Sequence, residues 1–236
     1  MDLIKAYNNA DFLNGDDARS VRILCEYLEP LSRLKREGVH RAIVAFGSAR
    51  VRRLTEGATG VDYFHDAAEL GERLARWTTD MHPVDARYHL VTGGGPGIME
   101  ALHEGSARVN RQLNVGIGIS LPFEQHGNPH LDDRHGFEFH YFFMRKFWFM
   151  NLAKAVVVFP GGFGTLDELF EVLTLTQVGK AARMPVVLYG SEFWKEILNI
   201  PALTRRGLIS AADEGIYTYA DTVDEAFAQL TASLPA

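Results

Sequence analysis

Two glycine-rich strings and one basic pair hold most of the chemistry this sequence can offer. The first string is Gly93-Gly94-Gly95-Pro96-Gly97-Ile98-Met99-Glu100, with an apolar run before it and a helical period after it. Glycines let the backbone approach a ligand closely, and the free N–H groups at a helix start favour an anion. Ile98 occupies the last position of what would be Gly-x-Gly-x-x-Gly, and no Gly-Lys-Ser/Thr follows, so neither an ordinary dinucleotide site nor a P-loop is indicated. A tight strand-to-helix turn with no ligand fits the same residues. The second string is Pro160-Gly161-Gly162-Phe163-Gly164-Thr165-Leu166-Asp167-Glu168. Thr165 and Glu168 have capping-box spacing, which would make Glu168 a helix cap contributing about 1 kcal/mol. The functional alternative has the glycines and Thr165 holding a phosphate while Glu168 faces a sugar. Asp167 and Glu168 put negative charge where that phosphate would bind, so the site needs a cation. Phe142-Phe143-Met144-Arg145-Lys146 supplies two: Arg145 with a forked geometry and Lys146 as a point charge. Solvated residues at a helix start are the alternative. Cations near a helix N-terminus oppose its dipole, however, and ask for an anionic partner, either Glu168 or a ligand phosphate.

The elements that must position these residues follow from the hydropathy pattern. Apolar runs at 41–46, 88–91, 115–119, 155–159 and 185–189 are apolar on both faces, as buried parallel strands are. Most end in glycine. Between them lie helical periods: Val21, Leu24, Leu28 and Leu31; Ala67, Leu70 and Leu74; Leu166, Leu169, Val172 and Leu173. Strands alternating with helices predict an α/β chain with a Rossmann-like, doubly wound parallel sheet and helices on both faces. Residues 1–236 are expected to form a single domain, with 1–38 as a leading helical segment. Residues 51–60 and 125–136 are expected to be loops. In such sheets the glycine turns gather at the carboxyl ends of the strands, where ligands bind.

Composition narrows the function further. The chain has 236 residues, 47% hydrophobic and 23% charged, as an ordinary globular protein does. Lys and Arg number 24 against 30 Asp and Glu, a net charge of −6, which disfavours a nucleic-acid partner. The lone Cys25 rules out an internal disulfide. Neither a signal peptide nor a bilayer-spanning run is found, so a cytoplasmic location without membrane contact is the expectation.

The triple-glycine string, the Arg145-Lys146 pair and Pro-Gly-Gly-Phe-Gly-Thr-Leu-Asp-Glu together resemble the LOG (Lonely Guy) family, whose members were often labelled "possible lysine decarboxylase". The resemblance spans roughly residues 41–189. It implies a Rossmann-like fold, homodimers or larger oligomers, and cleavage of the N-glycosidic bond of nucleoside 5′-monophosphates to free base and ribose 5-phosphate. In plants and several microbes the base is a cytokinin. By motif, Arg145 and Glu168 would be the catalytic pair, and Gly161, Gly162, Gly164 and Thr165 would hold the 5′-phosphate. Gly94, Gly95 and Met99 would line the nucleotide pocket with Gly47 and Ser48, and Lys146 would add charge. A carboxylate at Glu168 would stabilise the positive charge that builds on the ribose. That chemistry needs no metal or organic cofactor. Plant members read Met-His-x-Arg-Lys where this chain has Phe142-Phe143, and the long N-terminal region fits a bacterial-type branch.

Other readings of the residues stay open. A nucleotide-binding or carrier protein would use the same turns without turnover, as some relatives carry molybdenum cofactor. His126, His130, His135 and His140 lie close in sequence but match no zinc signature. The aromatic run Phe137, Phe139, Tyr141, Phe142, Phe143, Phe147, Trp148 and Phe149 suits a core or an oligomer interface, part of it the latter. No lysine sits in a recognisable pyridoxal-phosphate context.

Overall fold

The computed structural model describes residues 3–55, 59–121 and 127–235. In chain order the elements are α1 (Ala10–Asn14), α2 (Arg19–Arg36), β1 (Ala42–Phe46), α3 (Tyr63–Met81), β2 (His89–Thr92), α4 (Ile98–Asn110), β3 (Asn114–Ile119) and β4 (Gly136–Phe139). Then come α5 (Phe142–Leu152), β5 (Ala153–Val158), α6 (Phe163–Gln177), β6 (Val186–Tyr189), α7 (Ser191–Ile197), α8 (Ile200–Arg205), β7 (Thr218–Ala220) and α9 (Val223–Thr231). The seven strands among the described residues belong to one sheet in the order β4-β3-β2-β1-β5-β6-β7. Every neighbouring pair is parallel. This is the doubly wound α/β arrangement that the strand–helix alternation predicts.

The strands are apolar on both sides because both sides are covered. Successive side chains alternate across the sheet, so Ala42, Val44 and Phe46 of β1 join one core and Ile43 and Ala45 the other. The first core is completed by Trp148 and Phe149 of α5, Leu169 and Val172 of α6, and Trp194 of α7. The second is completed by Leu70 and Leu74 of α3, Leu102 of α4, and Ala226 and Leu230 of α9. Each fully buried Leu, Ile or Val contributes roughly 1.5–3 kcal/mol of transfer free energy, so the two layers together hold the sheet without covalent staples. Asp62 starts α3 by accepting the His65 N–H at 2.9 Å.

Two edge strands escape the sequence pattern. β4 is four residues long and begins at the end of the expected 125–136 loop, and β7 has three residues. Both are too short to show a period. The helix expected at 16–37 is α2, entered through a 3₁₀ turn at Asp16–Ala18. Its apolar stripe, however, is not core. Val21, Leu24, Leu28 and Leu31 are all exposed, Leu24 by 54%. Its polar face does the anchoring instead. The Glu26 carboxylate accepts the N–H of His140 at 2.7 Å and of Tyr141 at 3.2 Å, and the Glu26 carbonyl accepts the Trp148 indole N–H at 2.9 Å. A carboxylate at the N-terminal end of α5 also complements its dipole. Arg33 lies 3.9 Å above the Phe137 ring and donates to the Gly136 carbonyl at 2.8 Å. Within the aromatic run, Phe137, Phe139, Tyr141, Trp148 and Phe149 are core, while Phe142, Phe143 and Phe147 are exposed. No helix among the described residues is long and apolar enough to cross a membrane.

Helices α3 and α4 pack so closely that a Cβ on Gly105 would collide with the Ala68 carbonyl. Gly105→Ala should lower stability by about 1–3 kcal/mol, even though alanine is the better helix former by about 1 kcal/mol. Urea melts of the two proteins check it, and an unchanged midpoint would mean that the helices can separate at no cost.

Candidate active site

The strand order reverses between β1 and β5, so the chain leaves these two neighbours in opposite directions and opens a crevice beyond their carboxyl ends. Three turns meet there. The Phe159 N–H donates to the Phe46 carbonyl at 2.8 Å, Ser48 to Pro160 at 3.1 Å, and Ile98 to Ser48 at 3.1 Å. Gly97 makes the last contact possible. Its φ of 72° is left-handed, and a Cβ there would run into the Ser48 carbonyl.

The crevice widens into a cavity of about 1150 Å³. Gly47, Ser48, Gly94, Gly95, Met99, Arg145, Gly161, Gly162, Gly164, Thr165 and Glu168 all line it. The residues singled out from sequence therefore converge, although they come from four segments of the chain. Lys146 is the exception. Its ammonium is held at 2.9 Å by Asp167 and at 2.6 Å by Glu171, outside the cavity wall. That pairing also answers the excess negative charge at the second glycine string, because Asp167 is neutralised away from the cavity.

The capping box does not form. The N-cap of α6 is Gly162, and its backbone carbonyl accepts the first intrahelical bond, from Leu166 at 2.9 Å. Thr165 is the third residue of the helix and Glu168 the sixth. The amides of Phe163, Gly164 and Thr165 thus have no intrahelical partner and stand at the positive end of a 15-residue helix beside the cavity. The Thr165 side chain fills the space that a Cβ on Gly161 would need.

Glu168 is 6% exposed. Burial pushes its carboxyl up to about 7, against the pull of Arg145 and Lys146. Desolvation wins because neither cation reaches it in an ion pair; the direct carboxylate partners of Lys146 are Asp167 and Glu171. Arg145 is likewise driven down by burial, with Glu168 and Asp167 opposing. It stays charged, since a guanidinium starts far above neutrality. Its Nε donates to the Ile117 carbonyl at 2.9 Å, which aims the fork across the cavity floor beside Gly93. The arrangement can bind an anion at α6 and exchange a proton near neutral pH at Glu168.

A family model described as "Possible lysine decarboxylase" matches residues 99–230. A cytokinin riboside 5′-monophosphate phosphoribohydrolase of Oryza sativa subsp. japonica is 30% identical over 207 residues, covering 85% of this chain and 76% of its own. The chain belongs to the LOG family. Among solved structures, the structural-genomics target TM1055 superposes with a TM-score of 0.51 at 25% identity, covering 79% of this chain and 95% of that one. The molybdenum cofactor binding protein of the phototrophic bacterium Rippkaea orientalis gives 0.50 at 19% identity, over 79% and 93%. The latter likeness is one of fold.

In this LOG-family chain the matched segment takes in Met99, Arg145 and the whole α6 turn, while the turns at 47–48 and 93–95 lie before it. The cavity also has walls that the motifs do not announce. Arg50 stands at its rim, and Leu131, Asp133 and Glu138 come from the 127–138 stretch. Phe142, Phe163, Phe193 and Ile197 make an apolar mouth, with Phe163 93% exposed. Phe142 and Phe163 stand within the quoted strings without a role there; local spacing gave no signal for the others, which meet only through the fold. Among the described residues no group of three or more His, Cys, Asp or Glu is placed to hold a metal. His135 meets the His89 ring edge to face, with centroids 6.1 Å apart. His126 and part of the expected 125–136 loop lie outside the described residues.

The raised carboxyl of Glu168 has a stability consequence. The folded state holds that proton more tightly than the unfolded chain, so stability falls as pH climbs from about 4.5 through 7. Glu168→Gln mimics the protonated form at every pH. The variant should be more stable by about 2–3 kcal/mol at pH 8, with the gain vanishing near pH 4. Thermal melts across that range test it; a pH-independent difference would mean that Glu168 titrates normally.

Proposed function

We propose that this LOG-family chain is a hydrolase that cleaves the N-glycosidic bond of AMP or a cytokinin riboside 5′-monophosphate, releasing free base and ribose 5-phosphate. One observation carries the reading: a buried carboxylate titrating near neutrality shares a cavity with an unpartnered helix N-terminus. Glu168 lies five residues beyond Phe163, about 7.5 Å along the helix axis at 1.5 Å per residue. That span is comparable to the distance from a 5′-phosphate to the ribose ring. With the phosphate on the amides of 163–165 and the hydroxyl of Thr165, the sugar falls beside Glu168. The related rice phosphoribohydrolase supports the substrate class.

In the reaction the C1′–N bond breaks with its electron pair going to the base, and a water oxygen bonds C1′. One water proton ends on the base and the other oxygen–hydrogen bond becomes the anomeric hydroxyl. Positive charge grows on C1′ and the ring oxygen in the transition state. An ionised Glu168 stabilises that charge and orients the water or the ribose hydroxyls. Arg145 orients Glu168 through the field between them and holds a substrate oxygen with its remaining N–H groups. Arg145 and Glu168 are the cavity-lining pair this reading assigns to glycosidic cleavage. Gly47, Ser48, Gly94, Gly95 and Met99 form the rest of the nucleotide wall, and Lys146 acts at one remove by neutralising Asp167.

Self-association belongs to the same reading. Leu24, Leu28 and Leu31 of α2 are exposed, and Tyr27 joins this stripe to Phe147 of α5 with ring centroids 5.6 Å apart. We expect a homodimer or larger assembly built on this face. Light scattering should return at least twice the 26.4 kDa chain mass, and Leu24→Glu with Leu28→Glu should reduce it to one chain. A monomeric parent protein would remove the assembly from the proposal.

Incubation with AMP and with isopentenyladenosine monophosphate, followed by chromatography for free base and ribose 5-phosphate, tests the activity. Glu168→Gln should lower the rate at least 1000-fold, about 4 kcal/mol of transition-state stabilisation, and Arg145→Ala about 100-fold, with both proteins folded. Tight AMP binding without base release would identify a nucleotide carrier instead.

A further inference from the structure

A buried polar chain runs beneath the first glycine turn, and no side chain in it touches the cavity. Asn128 is buried, and its amide uses every group it has. Nδ2 lies 3.2 Å from the Gly94 carbonyl, 3.3 Å from the Gly95 carbonyl and 3.1 Å from His103 Nδ1. Oδ1 accepts the His130 N–H at 3.2 Å, and the backbone N–H of Asn128 donates to the Gly94 carbonyl at 2.8 Å. His103, fully buried on α4, has Nε2 3.2 Å from the Leu90 carbonyl. A carbonyl only accepts, so the Nε2 nitrogen bears the proton and Nδ1 is the acceptor for Asn128. Thr92 completes the chain: its hydroxyl oxygen accepts the Gly94 N–H at 3.0 Å.

The chain fixes two cavity walls at once. Gly94, in the left-handed region with φ of 73°, and Gly95 belong to the turn; Gly127 and Leu131 belong to the facing segment. The Leu131 side chain occupies the space that Cβ atoms on Gly94 and Gly116 would need, so the two walls interlock. Asn114 fastens the same segment from behind, donating to the carbonyls of His103 at 2.9 Å and His130 at 3.0 Å.

We propose that Asn128 is a positioning residue for the nucleotide cavity: with His103 as its fixed acceptor, it locks the Gly94–Gly95 turn to the segment carrying Leu131 and so sets the shape of the wall against which the nucleotide lies. The inference rests on the nucleotide reading above. Only an amide satisfies the position. A carboxylate would keep the His130 N–H at one oxygen but turn the other on two carbonyl oxygens and the lone pair of Nδ1, three acceptors with no donor.

The test uses Asn128→Ala and the isosteric Asn128→Asp in the full chain. AMP binding is measured by calorimetry, base release by steady-state kinetics, and amide hydrogen exchange over residues 93–97 by mass spectrometry. Both variants should fold, exchange faster over 93–97, and show AMP Kd and KM raised about tenfold, the scale of one hydrogen bond to a constrained partner. Their kcat should stay within about threefold of the parent. Glu168→Gln should do the reverse, losing kcat with Kd unchanged. Faster exchange with Kd and KM within twofold of the parent would overturn the inference alone. A parent protein that does not bind AMP would overturn the nucleotide reading and the inference with it. Should Asn128→Ala not fold, Asn128→Ser, which leaves a smaller void, gives the same measurement with the same criteria.

Discussion

The reversal of strand order between β1 and β5 is the constraint on which the rest of the site depends. On either side of it the strand order runs outward without reversing. At the reversal the two following segments diverge, and three backbone turns are left facing one another. They approach so closely that glycine is the only residue that fits at the contact between Gly97 and the Ser48 carbonyl. Gly47, Gly97 and Gly161 are thus explained by close packing before any ligand is invoked, whereas Gly162 and Gly164 have open space where a side chain would go. Their second effect is to leave bare backbone on part of the cavity wall, beside the side chains of Met99, Leu131, Arg145 and Glu168.

Into that cavity the fold places a carboxylate at a cost. Glu168 is buried on the sixth residue of α6, and desolvation outweighs the attraction of two nearby cations. A direct ion pair with Arg145 would have lowered that cost and also quenched the carboxylate. The fold instead gives the Arg145 Nε a carbonyl, Ile117, and gives Lys146 two other carboxylates. Each cation is anchored, and Glu168 keeps free oxygens. The sequence string Asp-Glu within one helical turn looks like redundant charge; in three dimensions the two residues point to different tasks, Asp167 to a surface ion pair and Glu168 to the cavity.

How much of this was legible in the sequence differs by element. The five interior strands announce themselves because they are buried on both faces, and the glycine strings mark where they end. The convergence of Arg145 with Glu168 rested on two grounds, a cation at a helix start asking for an anion and the family motif, since no periodicity ties residue 145 to 168. The capping-box spacing of Thr165 and Glu168 misled because helix α6 starts at Phe163, earlier than the box requires, with glycine as its cap. The short edges β4 and β7 have no period to detect. Asn128, His103 and Arg50 were invisible for a different reason: their partners are backbone carbonyls and cavity walls up to 34 residues away, and no periodicity encodes such contacts. The stripe on α2 marks a helix, but a stripe specifies only that an apolar face exists, not what covers it.

Helix α2 shows how that ambiguity resolves. Its inner side spends polar groups on holding α5: the Glu26 carboxylate accepts two backbone N–H groups at the start of α5, its carbonyl takes the Trp148 indole, and Arg33 pins the strand before it. Because α5 bears Arg145 one turn further on, the placement of the guanidinium is inherited from a helix that never touches the cavity. The outer side of α2, left with Leu24, Leu28 and Leu31 in solvent, runs into the exposed Phe147 of the same α5. A partner seated on that face would press on the helix that sets Arg145. The exposed stripe of α2 and the guanidinium of Arg145 are thus linked through α5: Glu26 and Tyr27 meet one side of that helix, and the Arg145 Nε reaches the Ile117 carbonyl from it.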